Sequence, residues 1–269
     1  MRLGLSSPLR HDSPEHWAEQ LAALGCRAAV FPLDCDAPEA LIDAYAEAAA
    51  EHDIAIAEVG VWRNALMDEE ALAYSVRQLR LADRLHARCC VNVAGAAGPR
   101  WDGGYRENFA PDTYDRTVRM IRRIIDEANP RHTDFTLEPM PWMIPTGPEE
   151  YLKLMADVDR DHFAAHMDII NMINCPERCF FPEDFIDRCF DLLGPYIRSC
   201  HLKDVRLLPE LTFQLRECAC GEGDFPLLHY LRRMEALDSE IPVIIEHLRT
   251  DEEYLASLRY VTELLKQNR

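Results

Sequence analysis

The sequence lacks an excess of basic residues. Its 269 residues include 29 lysines and arginines against 47 aspartates and glutamates, which gives a formal net charge of −18 at pH 7. Nucleic acids and anionic membrane surfaces attract proteins through a basic face. The composition therefore argues against both as partners. Because the acidic residues are spread along the chain, we interpret them as solvated faces of helices.

Long apolar segments are also missing. No apolar run approaches the roughly 20 residues that a membrane-spanning helix requires. The first residues, MRLGLSSPLRHD, contain no apolar segment of the kind found in signal peptides. We therefore expect a cytoplasmic protein. Its ten cysteines are then expected to be reduced thiols, because disulfides persist mainly in oxidising compartments, and their spacing matches no zinc knuckle.

Glycine-rich phosphate-binding turns and flexible linkers are absent as well. An open, doubly wound sheet normally carries a glycine-rich turn after its first strand, but here that turn reads SSPLRHDSP. No Gly/Ser-rich linker or change of composition divides the chain. We therefore expect residues 1–269 to form one domain.

Short apolar runs alternate with amphipathic helical stretches along the whole chain. The helices have recognisable starts, for example Ser13 followed by Pro14, and Thr250 followed by three acidic residues. The predicted strands are 3–5, 28–31, 54–61, 89–93, 135–137, 163–167, 197–202 and 242–245. Eight strand–helix units in 269 residues are typical of a (β/α)8 barrel. The predicted fold class is therefore α/β, a TIM barrel.

The last four predicted strands each end near a side chain that can bind a metal. These are Glu138 in TLEP, Asp168 in HMDI, His201 in CHLKD and Glu246 in IIEHL. Any one of them alone is more often structural, but in a closed barrel neighbouring strands lie about 4.8 Å apart and end at one mouth. Three carboxylates and an imidazole at one point would repel and desolvate each other, and a divalent cation resolves that conflict. Oxygen-rich ligation with one nitrogen favours Mn²⁺ or Mg²⁺, with Zn²⁺ and Co²⁺ as alternatives.

Over essentially its whole length the sequence resembles the sugar phosphate isomerase/epimerase superfamily, the xylose isomerase-like TIM barrels. The most specific motifs are TLEP, HMD, SCHLKD, PVIIEHL and GEGDFP at 221–226. The resemblance implies that Glu138, Asp168, His201 and Glu246 bind one divalent metal ion, with Mn²⁺ the first expectation. It also implies that Glu138 and Glu246 form the acid/base pair. The GEGDFP loop is interpreted as structural, because its glycines permit a tight turn.

The chain departs from the family pattern at two places. Epimerases of the family often carry a histidine three residues after the acid of strand six, where this chain has Asn171. Many members have a glutamate at the end of strand two, where this chain has Phe31 and Pro32.

The resemblance implies an isomerase or epimerase of a sugar or sugar derivative that transfers a proton through a metal-bound enediolate. A lyase or dehydratase acting on a keto-inositol or 3-keto-glycoside is the first alternative. A non-catalytic metal- or sugar-binding barrel is the second.

Further side chains are expected to meet the substrate, a small carbohydrate. Basic side chains that follow His201 could hold a hydroxyl, carboxylate or phosphate, with pairing to Asp204 as the structural alternative. A histidine that shares strand parity with Asp168 is expected to point inward, and two tryptophans after strands can stack on a sugar face or pack at the rim. The predicted substrate-binding residues are Lys203, Arg206, Asn171, His166, Trp142 and Trp62. The loops 94–109 and 169–181 are expected to wall the site, and the sequence leaves a homo-oligomer open.

Overall fold

Eight parallel strands close into a barrel in the computed structural model, which describes residues 1–268. The barrel strands are β1 (Arg2–Leu5), β2 (Ala28–Val30), β3 (Ala55–Val61), β4 (Cys89–Asn92), β5 (Asp134–Leu137), β6 (Phe163–Met167), β7 (Ile197–Leu202) and β10 (Pro242–Ile245). Their order around the barrel is β1-β10-β7-β6-β5-β4-β3-β2. The predicted fold class is confirmed, and each predicted strand differs from the observed one by at most one residue at an end.

Helices surround the barrel and begin where the sequence predicts. Ser13 accepts a hydrogen bond from the backbone N–H of His16, and Thr250 accepts one from Glu253. The helices are α1 (Pro14–Ala23), α2 (Glu39–Glu51), α3 (Glu69–Arg84), α4 (Pro111–Ala128), α5 (Pro148–Val158), α6 (Ile169–Met172), α7 (Pro176–Phe180), α8 (Pro182–Leu193), α9 (Leu227–Leu237) and α10 (Asp251–Gln267). Within residues 1–268, none of them combines the length and the apolar character that crossing a membrane requires.

Two buried tyrosines fasten the outer helices to the strand ends that carry the candidate site. Tyr151 of α5 donates to the carbonyl of Leu137 at 2.8 Å, and Tyr230 of α9 donates to the carbonyls of Met167 at 3.1 Å and His201 at 3.2 Å. Both rings are almost completely buried. Because a buried hydroxyl requires a partner, these bonds fix the helices relative to β5, β6 and β7.

The segment that follows β7 forms an antiparallel hairpin outside the barrel. Its strands are β8 (Asp204–Leu207) and β9 (Leu215–Cys218). At its base, the Asp204 carboxylate accepts the backbone N–H groups of Gly221, Gly223 and Phe225 at 2.9, 3.0 and 3.1 Å. Gly221 has a φ of +92°, and a Cβ at Gly223 would lie 2.2 Å from Asp204 Oδ1. The turn therefore requires both glycines, in line with a structural role for GEGDFP.

Candidate metal centre and substrate cavity

Four neighbouring strands deliver the four predicted ligands to the same end of the barrel. Glu138 and Glu246 directly follow β5 and β10, and their backbone N–H groups bond to the carbonyls of Asn92 at 2.7 Å and Leu202 at 3.3 Å. Asp168 follows β6 and caps α6, and His201 lies within β7. All four residues are 4% exposed or less. The backbone hydrogen bonds between strands thus extend to Glu138 and Glu246 and fix the position of these two residues.

The four side chains face one another. One ligand atom from each of Glu138, Asp168, His201 and Glu246 lies within 4.8 Å of those of the other three. His201 Nδ1 is 2.9 Å from Glu246 Oε2, 3.6 Å from Glu138 Oε1 and 3.8 Å from Asp168 Oδ2. Among residues 1–268, His201 Nδ1 and Asp168 Oδ2 are buried without a properly directed hydrogen-bond partner. A divalent cation would satisfy both atoms, so the donor set fits a metal ion, although the role of these residues as ligands stays a prediction.

Lys203 brings a buried ammonium group into the same cluster. Its Nζ lies 2.8 Å from Asp168 Oδ2 and 2.8 Å from Glu246 Oε1, and it donates to Asn171 Oδ1 at 3.0 Å. Burial alone would lower the pKa of Lys203, but the carboxylates of Asp168 and Glu246 raise it well above its ordinary value. Lys203 therefore stays cationic, and it is not the surface partner of Asp204 that the sequence leaves as an alternative.

Glu138 and Glu246 occupy electrostatically different positions. Burial raises the pKa of Glu138, and the charges of Glu246 and Asp168 raise it further against the opposing effect of His201. Burial would also raise the pKa of Glu246, but His201 and Lys203 beside it reverse the shift, and its pKa is lowered overall. Two carboxyl groups whose proton affinities are pushed apart in one site are suited to acid and base roles.

Sequence reasoning missed Glu58, which lies in the middle of β3. Its carboxylate is buried and accepts hydrogen bonds from His166 Nε2 and His201 Nε2, each at 3.1 Å. The Ser199 hydroxyl also bonds to Glu58. Burial would raise the pKa of Glu58, but the neighbouring His201 and His166 lower it well below its usual range. The available signal was a lone charge inside the apolar strand AIAEVGV, since a buried carboxylate requires cationic or hydrogen-bonding partners.

Sequence reasoning also missed Glu217, which the β8–β9 hairpin brings to the site. Glu217 Oε1 lies 3.1 Å from Lys203 Nζ, and Glu217 Oε2 lies 3.0 Å from His247 Nδ1. Burial would raise the pKa of Glu217, but the hydrogen bond from His247 and the charge of Lys203 lower it to about 2. The hairpin is therefore held to the barrel mouth by an ionised carboxylate, a contact that no local pattern indicates.

Two cavities meet at His247 beside the cluster. The first has a volume of about 490 Å³ and is lined by Ser6, Val30, Glu58, Trp62, Val93, Trp101, Asp102, Glu138, Met140, His201, Glu246 and His247. The second, of about 820 Å³, has walls that include Trp142, Asn171, Asn174, Phe213, Glu217 and His247. The loop 94–109 thus lines the first cavity and the loop 169–181 the second.

Apart from Lys203, which is buried in the cluster, the predicted substrate-binding residues divide into two groups. Trp62 lines the first cavity and Trp142 the second, and Asn171 joins the cluster because its Nδ2 donates to Glu138 Oε1 at 2.9 Å. Arg206 instead lies on the exposed hairpin, where it donates to the carbonyl of Glu222 and lines neither cavity. His166 points inward, as its strand parity predicts, but is buried against Glu58 and lines neither cavity. The geometry favours the first group for contact with a substrate.

Comparison with known proteins agrees with the barrel fold described above. The family model described as xylose isomerase-like TIM barrel matches residues 18–264. No curated protein matches the chain significantly in sequence. A xylose isomerase-like TIM barrel protein from Mycobacterium smegmatis, solved in complex with magnesium, is 19% identical, with a TM-score of 0.69 over 95% of this chain and 90% of that one.

Two further solved structures are similar over almost the whole chain. The D-psicose 3-epimerase from Clostridium cellulolyticum H10, solved with D-tagatose, is 16% identical, with a TM-score of 0.71 over 98% of this chain and 99% of that one. A probable 3-DHS dehydratase from Bacillus anthracis is 15% identical, with a TM-score of 0.69 over 97% and 99%. At these identities the likeness shows a common fold.

Proposed function

Because this chain belongs to the family of xylose isomerase-like TIM barrels, we propose that it is a divalent-metal-dependent isomerase or epimerase of a sugar or sugar derivative. The observation that carries the proposal is the convergence of three buried carboxylates around Nδ1 of His201. Glu138, His201 and Glu246 of this cluster line a cavity of about 490 Å³, and the partly exposed ring of Trp62 lines it as well. Similarity to a D-psicose 3-epimerase supports the substrate class.

Glu138, Asp168, His201 and Glu246 would hold the metal ion. Mn²⁺ is the first expectation for this donor set, with Mg²⁺, Co²⁺ and Zn²⁺ as alternatives, and one similar structure contains magnesium. When bound, the ion supplies Lewis acidity that polarises the carbonyl and neighbouring hydroxyl of the substrate. A polarised carbonyl makes the adjacent C–H group more acidic, so a carboxylate can then remove its proton.

Glu246 and Glu138 are the proposed base and acid. Glu246, whose pKa is lowered, accepts the proton from the carbon next to the carbonyl, and the electron pair of the C–H bond moves into an enediolate. Glu138, whose pKa is raised, returns a proton to the same or the neighbouring carbon. Lys203 and Asn171 lie in hydrogen-bond contact with these carboxylates and orient them. Trp62 offers a flat apolar face on which a sugar ring can stack.

Solvent isotope labelling tests the proposal directly. The metal-loaded protein would be incubated with ketoses, keto-inositols and 3-keto-glycosides in D₂O, and the products analysed by NMR. A carboxylate base exchanges its proton with solvent, so we expect the isomerised product to carry deuterium at the carbon next to the carbonyl. Unlabelled product would indicate a direct hydride shift and would reject proton transfer by Glu138 and Glu246.

A dehydratase or lyase is the second candidate function. Once a base has removed the proton, Glu138 in the role of the acid can protonate a hydroxyl one carbon further along, which leaves as water. Similarity to a probable 3-DHS dehydratase supports this alternative. The same incubation separates the two reactions, because elimination from a keto-inositol or 3-keto-glycoside leaves an ultraviolet-absorbing unsaturated carbonyl. Ligand binding without any turnover would instead indicate a non-catalytic metal- or sugar-binding barrel.

A further inference from the structure

Glu58 bridges two histidines in the interior of the barrel. Around the barrel β3 and β7 are separated by four steps in either direction, so they lie on opposite sides. Glu58 reaches across from β3, and its Oε2 lies 3.1 Å from His201 Nε2. Its other oxygen bonds to His166 Nε2 and to the Ser199 hydroxyl. Both oxygens are thus occupied by side-chain donors, and the proton transfer proposed above does not involve this residue.

We propose that Glu58 is a positioning residue, which holds His201 in the one tautomer and orientation that can complete the metal centre. The inference rests on the proposed metal-dependent function. A carboxylate only accepts hydrogen bonds, so the His201 nitrogen that faces it must carry a hydrogen. With a metal ion in place of its second proton, the imidazole would be neutral and carry one N–H, on Nε2, and its lone pair would be on Nδ1. Nδ1 is the atom that faces Glu138, Asp168 and Glu246.

His166 and Ser199 hold Glu58 itself in place. The pairing of β6 with β7 shifts register between Ala165 and His166, and this shift sets His166 beside Ser199. The two residues therefore donate to the same carboxylate oxygen of Glu58. The His166 and His201 rings pack edge to face, with centroids 4.1 Å apart and an interplanar angle of 74°. Rotation of the Glu58 side chain would break its three hydrogen bonds, to His166, Ser199 and His201. A ring flip of His201 would break its own bond to this fixed carboxylate, so the flip is energetically unfavourable.

The Glu58→Gln variant removes this constraint while keeping the size of the side chain. Its amide oxygen can accept from one imidazole, but its NH₂ group presents donors to the other. Carboxylates that orient a ligating histidine typically change metal affinity by 10–100-fold when removed. We therefore expect the Mn²⁺ dissociation constant, measured by isothermal titration calorimetry, to rise by about 10–100-fold. We also expect the visible spectrum of the Co²⁺-loaded protein to change.

Glu263→Gln is the matched control, because it makes the same substitution on the exposed face of α10, outside both cavities. We expect its Mn²⁺ affinity and Co²⁺ spectrum to stay close to those of the wild type. A folded Glu58→Gln variant whose affinity and spectrum match the wild type would overturn the role of Glu58. Circular dichroism would establish that each variant is folded.

NMR of the wild type provides a measurement that does not depend on the stability of a variant. With ¹⁵N-labelled histidine and Mg²⁺, we expect hydrogens on Nε2 of both His166 and His201, and a bare Nδ1 on His201. A bare Nε2 on His201 would overturn the inference. If the wild type bound no metal, the proposed metal centre and the role of Glu58 would both be wrong. Metal binding that depends on Glu58, without turnover of any sugar, would leave the inference standing and refute the proposed function.

Discussion

His201 and Glu246 contact each other at 2.9 Å, yet their replacement should have different consequences. His201→Ala removes the only nitrogen among the four proposed ligands, so we expect metal affinity to fall. Glu246→Gln keeps an oxygen that can face the metal but cannot accept a proton. We expect it to retain metal and to lose about 10²–10⁴-fold in turnover, the usual contribution of a general base. Calorimetry would measure metal binding and steady-state rates would measure turnover.

A histidine outside the site provides the control for these two variants. His229 bonds to Asp187 at 2.8 Å on the surface and lines neither cavity beside the cluster. His229→Ala should therefore leave both metal binding and turnover close to those of the wild type. Near-normal turnover by Glu246→Gln on the true substrate would show that Glu246 is not a base. Unchanged metal affinity in His201→Ala would remove His201 from the ligand set.

At the scale of elements, Asp83 connects α3 to the segment that leads into β5. In the last turn of α3, Asp83 Oδ1 accepts the backbone N–H groups of Arg131, His132 and Thr133 at 2.8, 2.6 and 3.1 Å. Asp83→Ala leaves these donors without their acceptor. We expect the free energy of unfolding at pH 7 to fall by about 2–3 kcal/mol, in the range for losing hydrogen bonds to a charged group.

The contribution of Asp83 to the free energy of unfolding should decrease at low pH. Burial raises the pKa of Asp83, but the three backbone N–H bonds lower it overall. A carboxyl group whose pKa is lower in the folded state contributes its full stabilisation of that state at pH values above its unfolded pKa of about 3.9. This stabilisation is lost as the pH falls through the folded pKa. In urea unfolding, the difference between wild type and Asp83→Ala should stay constant above about pH 5 and narrow below about pH 4. A difference that does not change with pH, or that equals the effect of replacing the exposed Asp115, would contradict this assignment.

At the scale of the whole molecule, the metal should stabilise the folded barrel. The four proposed ligands come from β5, β6, β7 and β10, so they converge only when the barrel is closed. A ligand that binds only the folded state stabilises by about 2.7 kcal/mol at 100 times its dissociation constant. At about 2–4 °C per kcal/mol for a chain of this size, removal of metal with EDTA should lower the Tm by roughly 5–10 °C. Differential scanning calorimetry would show this shift and its recovery on addition of Mn²⁺.

Two results would argue against metal stabilisation of the whole fold. One is a Tm that does not change when Mn²⁺ is added to the EDTA-treated protein. The other is an equal Tm increase in His201→Ala, which should show a reduced effect because it lacks one proposed ligand. Lys203 already neutralises part of the acidic cluster, so the metal-free barrel should be folded at the start of each scan.

The sequence by itself determined the barrel and the positions from which the candidate site is built. Strands are marked by apolar runs and helices by capping residues, and both signals are local, so they can be read without knowing the fold. Parallel strands of a barrel end at one mouth, which is why Glu138, Asp168, His201 and Glu246 were predicted to meet. The departures at Asn171 and Phe31 were also visible, although only the structure shows that Asn171 bonds to Glu138.

Only the tertiary structure decided which other charges reach the site. Glu58 and His201 are 143 positions apart and lie on opposite strands, and Glu217 arrives on a hairpin with no strong sequence signal. The register shift beside His166 depends on how two strands pair. Arg206 and Lys203 look alike in SCHLKDVR, but one is exposed on the hairpin and the other is buried among carboxylates. Such contacts depend on strand register and on packing across the barrel, and neither leaves a periodic pattern in the chain.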